Sequence, residues 1–159
     1  MTDYSLLVKQ CESFAEDSPE WLPLLANTSA LLFDALDDVN WAGFYMVKGD
    51  ELILGPFQGK VACMRIGKGR GVCGTAWEED KVQLVADVHQ FPGHIACDSA
   101  SNSEIVIPIH FEGKVVAVLD IDSPMLNRFS EADKAGLMSI VEVIEKALAV
   151  TSISNSKNN

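Results

Sequence analysis

At 159 residues, with hydrophobic residues at 48% and charged residues at 22%, the chain has the size and make-up of one domain that can build a core without disulfide staples or a structural metal. Its formal net charge of -11 argues against nucleic acid and against anionic membranes, because either partner calls for a basic face. The start MTDYSLLVKQ has no basic n-region, and no run approaches the roughly 20 apolar residues of a membrane span, so a cytoplasmic location is expected.

Apolar residues at Tyr4, Leu7, Val8, Cys11, Phe14 and Ala15 recur at three- and four-residue intervals and predict an amphipathic helix. Cys11 lies on its apolar stripe, where a cysteine acts as a small core residue. A second helix is expected to open at Ser18-Pro19-Glu20, with serine as cap and proline at the first helical position, and to run to about Asp38.

From Trp41 the period becomes strand-like. WAGFYMVK and ELILG flank Gly49-Asp50 as a hairpin, and a third strand is expected from about Val61 to Ile66. The turn Gly67 to Gly71 leads to a short helix near Thr75 to Glu79 and a strand from Val82 to Val85. The connection from Asp87 to Ser103 has little periodicity, and loops of that length are usually functional or disordered.

EIVIPIHF and KVVAVLDID form a second hairpin about Glu112-Gly113, with Pro108 pointing to an edge or a bulge. Ser130 to Asp133 resembles a capping box opening a C-terminal helix striped by Leu137, Ile140, Val141, Ile144, Ala147 and Leu148. One domain over residues 1–150 and a polar, disordered tail over 151–159 are expected. The element order implies an α+β fold. About six mostly antiparallel strands would carry the N- and C-terminal helices on one face and ligand loops on the other.

Three of the four cysteines, Cys63, Cys73 and Cys97, fall in one stretch that reads as strand end, glycine-rich turn and loop. Thiols in such a chain are expected to be reduced at rest, and a disulfide among them to be transient and catalytic or redox-sensing. Gly69 to Gly74 matches GxGxxG with Asp87 downstream, but the stretch has no room for a full crossover helix between parallel strands. A zinc site from Cys63, Cys73, His94 and Cys97 lacks a close C-x-x-C pair; His89 and His94 read better as surface loop residues. Thiol redox chemistry needs one thiolate to attack and a second thiol to resolve the product, and three thiols on connected loops could supply both.

Acidic residues stand in unusual places nearby. Glu104 opens a strand, and Asp120 and Asp122 alternate with Leu119 and Ile121 at the end of another, so the two aspartates face one side. Aspartate is disfavoured in strands. Such a cluster either meets solvent or holds an ammonium group and carries a proton to a leaving oxygen. Trp41 and Tyr45, four apart on a strand, share a face as core packing or as a pocket wall.

The runs Trp41 to Tyr45, Gly55 to Gly59, Gly71 to Gly74, Cys97-Asp98-Ser99, Ser103 to Pro108 and Leu119 to Ser123 together resemble the free methionine-(R)-sulfoxide reductases, single GAF-domain enzymes. The likeness extends from about Tyr4 to Val150, and the three cysteines keep that family's spacing. It implies Cys97 as the nucleophile that attacks the sulfoxide sulfur. Cys63 matches a resolving cysteine whose disulfide with Cys97 thioredoxin reduces. Cys73 matches a third family cysteine that can also form a disulfide with Cys97, and the likeness leaves the attacking and resolving roles within that pair exchangeable. Glu104, Asp120 and Asp122 match the acids that bind free L-methionine (R)-sulfoxide and help protonate its oxygen, and Trp41 and Tyr45 match the aromatic wall. The likeness implies no cofactor and no metal, and it admits a homodimer through the helical face. The competing reading, a non-catalytic GAF sensor of a small molecule or redox state, gives no reason for three loop thiols.

Overall fold

On the strands β1 (Trp41–Lys48), β5 (Ser103–Phe111) and β6 (Lys114–Ser123), successive side chains point to opposite faces of the sheet. One set, including Ala42, Phe44, Ile105, Ile107, Leu119 and Ile121, joins Leu25, Leu32, Leu137, Ile140 and Ile144 in the larger core. The other, including Trp41, Tyr45, Val106 and Val118, joins Ile66, Val72, Cys73 and Trp77 in a smaller one. The sheet is therefore covered on both faces, and each face has its own core.

A computed structural model describes residues 2–95 and 99–157, with side chains up to 151. The remaining elements are α1 (Tyr4–Asp17), α2 (Trp21–Ala35), β2 (Glu51–Gly59), β3 (Arg65–Gly67), α3 (Gly71–Glu79), β4 (Gln83–Val85) and α4 (Glu131–Lys157). The six strands lie in the order β3-β2-β1-β6-β5-β4, and every neighbouring pair is antiparallel. Helices α1, α2 and α4 form the layer over the larger core, whereas α3 packs alone on the opposite face against β3, β4, β5 and β6. This is the α+β arrangement expected from the element order.

Local chemistry explains the boundaries. Ser130 and Asp133 cap α4 reciprocally: the Asp133 amide donates to Ser130 Oγ (3.1 Å) and the Ser130 amide to Asp133 Oδ2 (2.8 Å). At the β5–β6 turn, Glu112 and Gly113 both have positive φ, 51° and 77°, the conformation of a two-residue hairpin loop that matches strand twist. Pro108 pairs with Val118 on β6, but β4 covers only Glu104 to Val106, so the other side of Pro108 is a free edge; a register shift follows at Ile109/His110.

Four expectations change. Ser18 does not open α2; its amide donates to the Phe14 carbonyl (2.9 Å) and closes α1, and α2 starts after Glu20 and stops at Ala35. The third strand shrinks to three residues, because Val61 and Met64 point into solvent at 88% and 72% exposure and provide no buried face. The helix after the glycine-rich turn begins at Gly71 rather than near Thr75, which places Cys73 in its first turn. Helix α4 continues through Lys157, into the segment read as a tail.

Candidate active site

The site lies between α3 and the face of the sheet away from the long helices. Strand register decides which residues meet. Asp122 stands opposite both Trp41 on β1 and Glu104 on β5, while Asp120 stands opposite Gly43 and Val106. Glu104, Asp120, Asp122, Trp41 and Tyr45 thus project from three adjacent strands into one cavity of about 50 Å³, which Cys73 also lines. All three acids are buried.

Burial sets the charge state. It pushes the Glu104 carboxyl well above the usual carboxylate range, and the neighbouring charges of Asp120 and Asp122 push it further. Asp120 is also raised by burial, although hydrogen bonds from Glu104, Cys73 and Asp122 work the other way. Carboxyls that hydrogen-bond to one another need a proton between them, so the cluster keeps acid protons to a higher pH than free carboxyls do. Asp120 Oδ1 is buried without a hydrogen-bond partner.

The aromatic wall is fixed by its polar tips. The Trp41 indole Nε1 donates to the Lys60 carbonyl (3.1 Å), and the Tyr45 hydroxyl donates to the Cys63 carbonyl (2.9 Å). Trp41 stacks on Tyr45 at 5.8 Å and on Phe57 at 5.1 Å between ring centroids. These two hydrogen bonds tie the loop between β2 and β3, and Cys63 with it, to the pocket wall.

The thiols differ from one another. Cys63 is disulfide-bonded, whereas Cys11 and Cys73 are buried free thiols. Cys11 belongs to the larger core beneath the helices, where burial raises its pKa to about 11, as befits a packing residue. Cys73 sits 4.0 Å from Glu104 Oε2. Its place in the first turn of a helix would favour a thiolate, but burial, followed by the charges of Asp120, Glu104 and Asp122, raises it well above the ordinary thiol value. Cys73 is therefore a thiol. The assignment of Cys97 falls outside the described residues.

Two sequence alternatives do not survive the geometry. The GxGxxG stretch opens a nine-residue helix in an antiparallel sheet; its Gly74 is there because a Cβ would stand 2.6 Å from the Gly67 carbonyl oxygen. The zinc quartet loses Cys63 to its disulfide, and among the described residues the group able to ligate a metal is Cys73, Glu104 and Asp120. His89 is exposed on a single 3-10 turn, Val88–Gln90, within the segment read as a loop, but His94, half-buried, lines the cavity together with Arg70 and Ser101. The sequence pattern marks neither Arg70 nor Ser101, and offers His94 only as a zinc ligand or a surface residue, because all three reach the pocket through the folding of the chain around α3.

Residues 25–149 match the GAF domain family, the class that this curled sheet with a one-sided ligand cavity defines. The chain is 52% identical over 148 residues to the free methionine-R-sulfoxide reductase of Escherichia coli, covering 93% of this chain and 90% of that one. Among solved structures, that of fRMsr of Staphylococcus aureus in complex with substrate is 55% identical with a TM-score of 0.89 and covers 93% and 97% of the two chains. The free methionine-R-sulfoxide reductase from Neisseria meningitidis, in complex with its substrate, is 43% identical with a TM-score of 0.91, covering 95% and 91%. The chain belongs to the free methionine-R-sulfoxide reductases, the oxidoreductase branch of the GAF-domain family.

Proposed function

We propose that the protein reduces free L-methionine (R)-sulfoxide to L-methionine, with Cys97 as nucleophile and Cys63 as resolving thiol. The observation that carries the reading is the set of three buried acids placed by strand register beside the Trp41 and Tyr45 wall. Sulfoxide oxygen is a poor leaving group until protonated. A cluster whose burial and mutual repulsion raise its carboxyls above the usual range supplies a proton where the oxygen departs.

The steps balance as follows. The Cys97 thiolate attacks sulfur while an acid of the cluster protonates the oxygen; the oxygen is transferred, methionine leaves, and Cys97 becomes a sulfenic acid. The Cys63 thiolate then attacks that sulfur, forming a Cys63–Cys97 disulfide and expelling hydroxide, which takes a proton and leaves as water. A thioredoxin dithiol returns both cysteines to thiols and leaves as its own disulfide. The oxidised state of Cys63, with Cys11 and Cys73 free, supports this pairing. Cys73 is a poor resolving group because burial, and then its acidic neighbours, hold it protonated.

The remaining acid charge binds the α-ammonium of the free amino acid. Methionine within a peptide presents an uncharged amide there and is refused. Trp41 and Tyr45 enclose the methyl sulfoxide end. NADPH oxidation in a thioredoxin-coupled assay should respond to free L-methionine (R)-sulfoxide, but not to the (S) epimer or a peptide-bound sulfoxide, and should vanish in Cys97→Ser. Equal turnover of the peptide-bound form, or methionine release by Cys97→Ser, would overturn the reading.

A further inference from the structure

Cys73, Glu104 and Asp120 turn their ligating atoms toward a common point. The sulfur and one oxygen from each acid lie within 4.8 Å of one another. The three come from elements locked together by packing: Cys73 from the first turn of α3, Glu104 and Asp120 from the adjacent central strands β5 and β6. One member of the cluster also carries an unmet hydrogen-bonding need: Asp120, only 6% exposed and lining the same cavity, has an oxygen, Oδ1, without a hydrogen-bond partner. A buried acceptor left without a partner costs free energy unless a ligand satisfies it.

A substrate ammonium could satisfy the two carboxylates, but it offers nothing to the sulfur. A thiophilic divalent cation takes all three. On binding, Cys73 gives up its proton to solvent, and one thiolate with two carboxylates suits a borderline metal such as zinc or cobalt; magnesium and calcium prefer oxygen alone. Zinc–sulfur and zinc–oxygen bonds of about 2.3 and 2.0–2.2 Å place tetrahedral ligands roughly 3.5 Å apart. The present spacing needs to contract by about an ångström, within the reach of small side-chain rotations. A fourth position would be left for water from the cavity.

We propose that Cys73, Glu104 and Asp120 form a binding site for a thiophilic divalent cation, which occupies the pocket in place of the organic substrate. The site stands on its geometry; the competition with substrate rests on the function proposed above.

Cobalt(II) titrated into the oxidised full-length chain separates the two. With Cys63 held in its disulfide, the described free thiols are Cys11 and Cys73. Thiolate-to-cobalt charge-transfer absorption should saturate at one ion per chain, survive Cys11→Ser and be lost in Cys73→Ser. No absorption at saturating cobalt, or its persistence in Cys73→Ser, overturns the site. Should Cys73→Ser fail to fold by circular dichroism, Asp120→Asn decides: weaker cobalt binding is expected, and unchanged affinity overturns the assignment. Free methionine sulfoxide in excess should abolish the absorption; cobalt that stays bound beside it overturns the competition alone.

Discussion

Gly43 is the position where the site is most sensitive to a single methyl group. It lies between Trp41 and Tyr45 on β1, opposite Asp120 on β6 and Phe57 on β2, where a register shift lets β2 cross closely. A Cβ there would stand 2.3 Å from Phe57 Cβ, 2.8 Å from Phe57 Cα and 2.9 Å from the Pro56 carbonyl oxygen. Two of those three atoms are backbone, so no side-chain rotation relieves the clash. Overpacking of this kind costs about 1–3 kcal/mol, and at roughly 2–4 °C per kcal/mol for a chain of this size Gly43→Ala should melt about 2–12 °C below the parent protein. The Phe57 ring, stacked on Trp41, must move with its backbone. Displacing reacting groups by about 1 Å can cost on the order of 100-fold in rate, so kcat/KM for the free sulfoxide should fall well beyond the loss of folded protein. Calorimetry and the coupled assay on the same preparation measure both. A variant that melts with the parent and turns over normally would refute the packing argument and the placement of Gly43 beside the site together.

Glu104→Gln should raise stability at neutral pH while slowing reduction. The raised carboxyl of Glu104 binds its proton more tightly in the folded than in the unfolded chain, so its contribution is complete below the unfolded value of about 4.3 and is lost as pH rises toward the folded value; urea melts showing the variant weaker at neutral pH would refute this. Tyr45→Phe removes the hydrogen bond to the Cys63 carbonyl and should cost about 1 kcal/mol, with an unchanged urea midpoint counting against it. Burial works against a charge on His110, but hydrogen bonds to Asp80 and Glu145 outweigh it and raise its pKa. That stabilisation is present below the unfolded value of about 6.5 and lost as pH rises through the folded one. The stability gap between parent and His110→Asn should therefore narrow as pH rises above the unfolded value of about 6.5, and a gap independent of pH would remove the His110 contribution.

What the chain disclosed in advance followed from periodicity. The alternation of Asp120 and Asp122 with Leu119 and Ile121 was enough to set both acids on one face, and the apolar stripes of α1 and α4 were enough to cover the other. Glycine misled at α3: Gly69 and Gly71 do take positive φ, as a turn requires, yet the helix starts directly from that turn, so Cys73 belongs to a rigid element rather than to a loop. Val61 and Met64 read as strand because a pattern of apolar residues does not report which of them find a partner. The capping role of Ser18 was claimed by the helix before it, a competition between two neighbouring ends that composition cannot decide. Arg70 and His94 enter the cavity through contacts between distant parts of the chain, and no local pattern encodes those.

The alternating placement of acids and aliphatic residues on β6 has a consequence for assembly of the sheet. Were β6 to pair with β1 one residue out of step, every side chain would change faces. Asp120 and Asp122 would then be driven into the apolar layer under α2 and α4, and Leu119 and Ile121 would fill the cavity. An ordinary strand with one polar, solvated face would tolerate such a slip better than this one, whose two faces are both enclosed but by different chemistry. The acids that the sheet must bury to do its work thus also act as a lock on strand alignment, because a misregistered pairing would set them against the apolar layer.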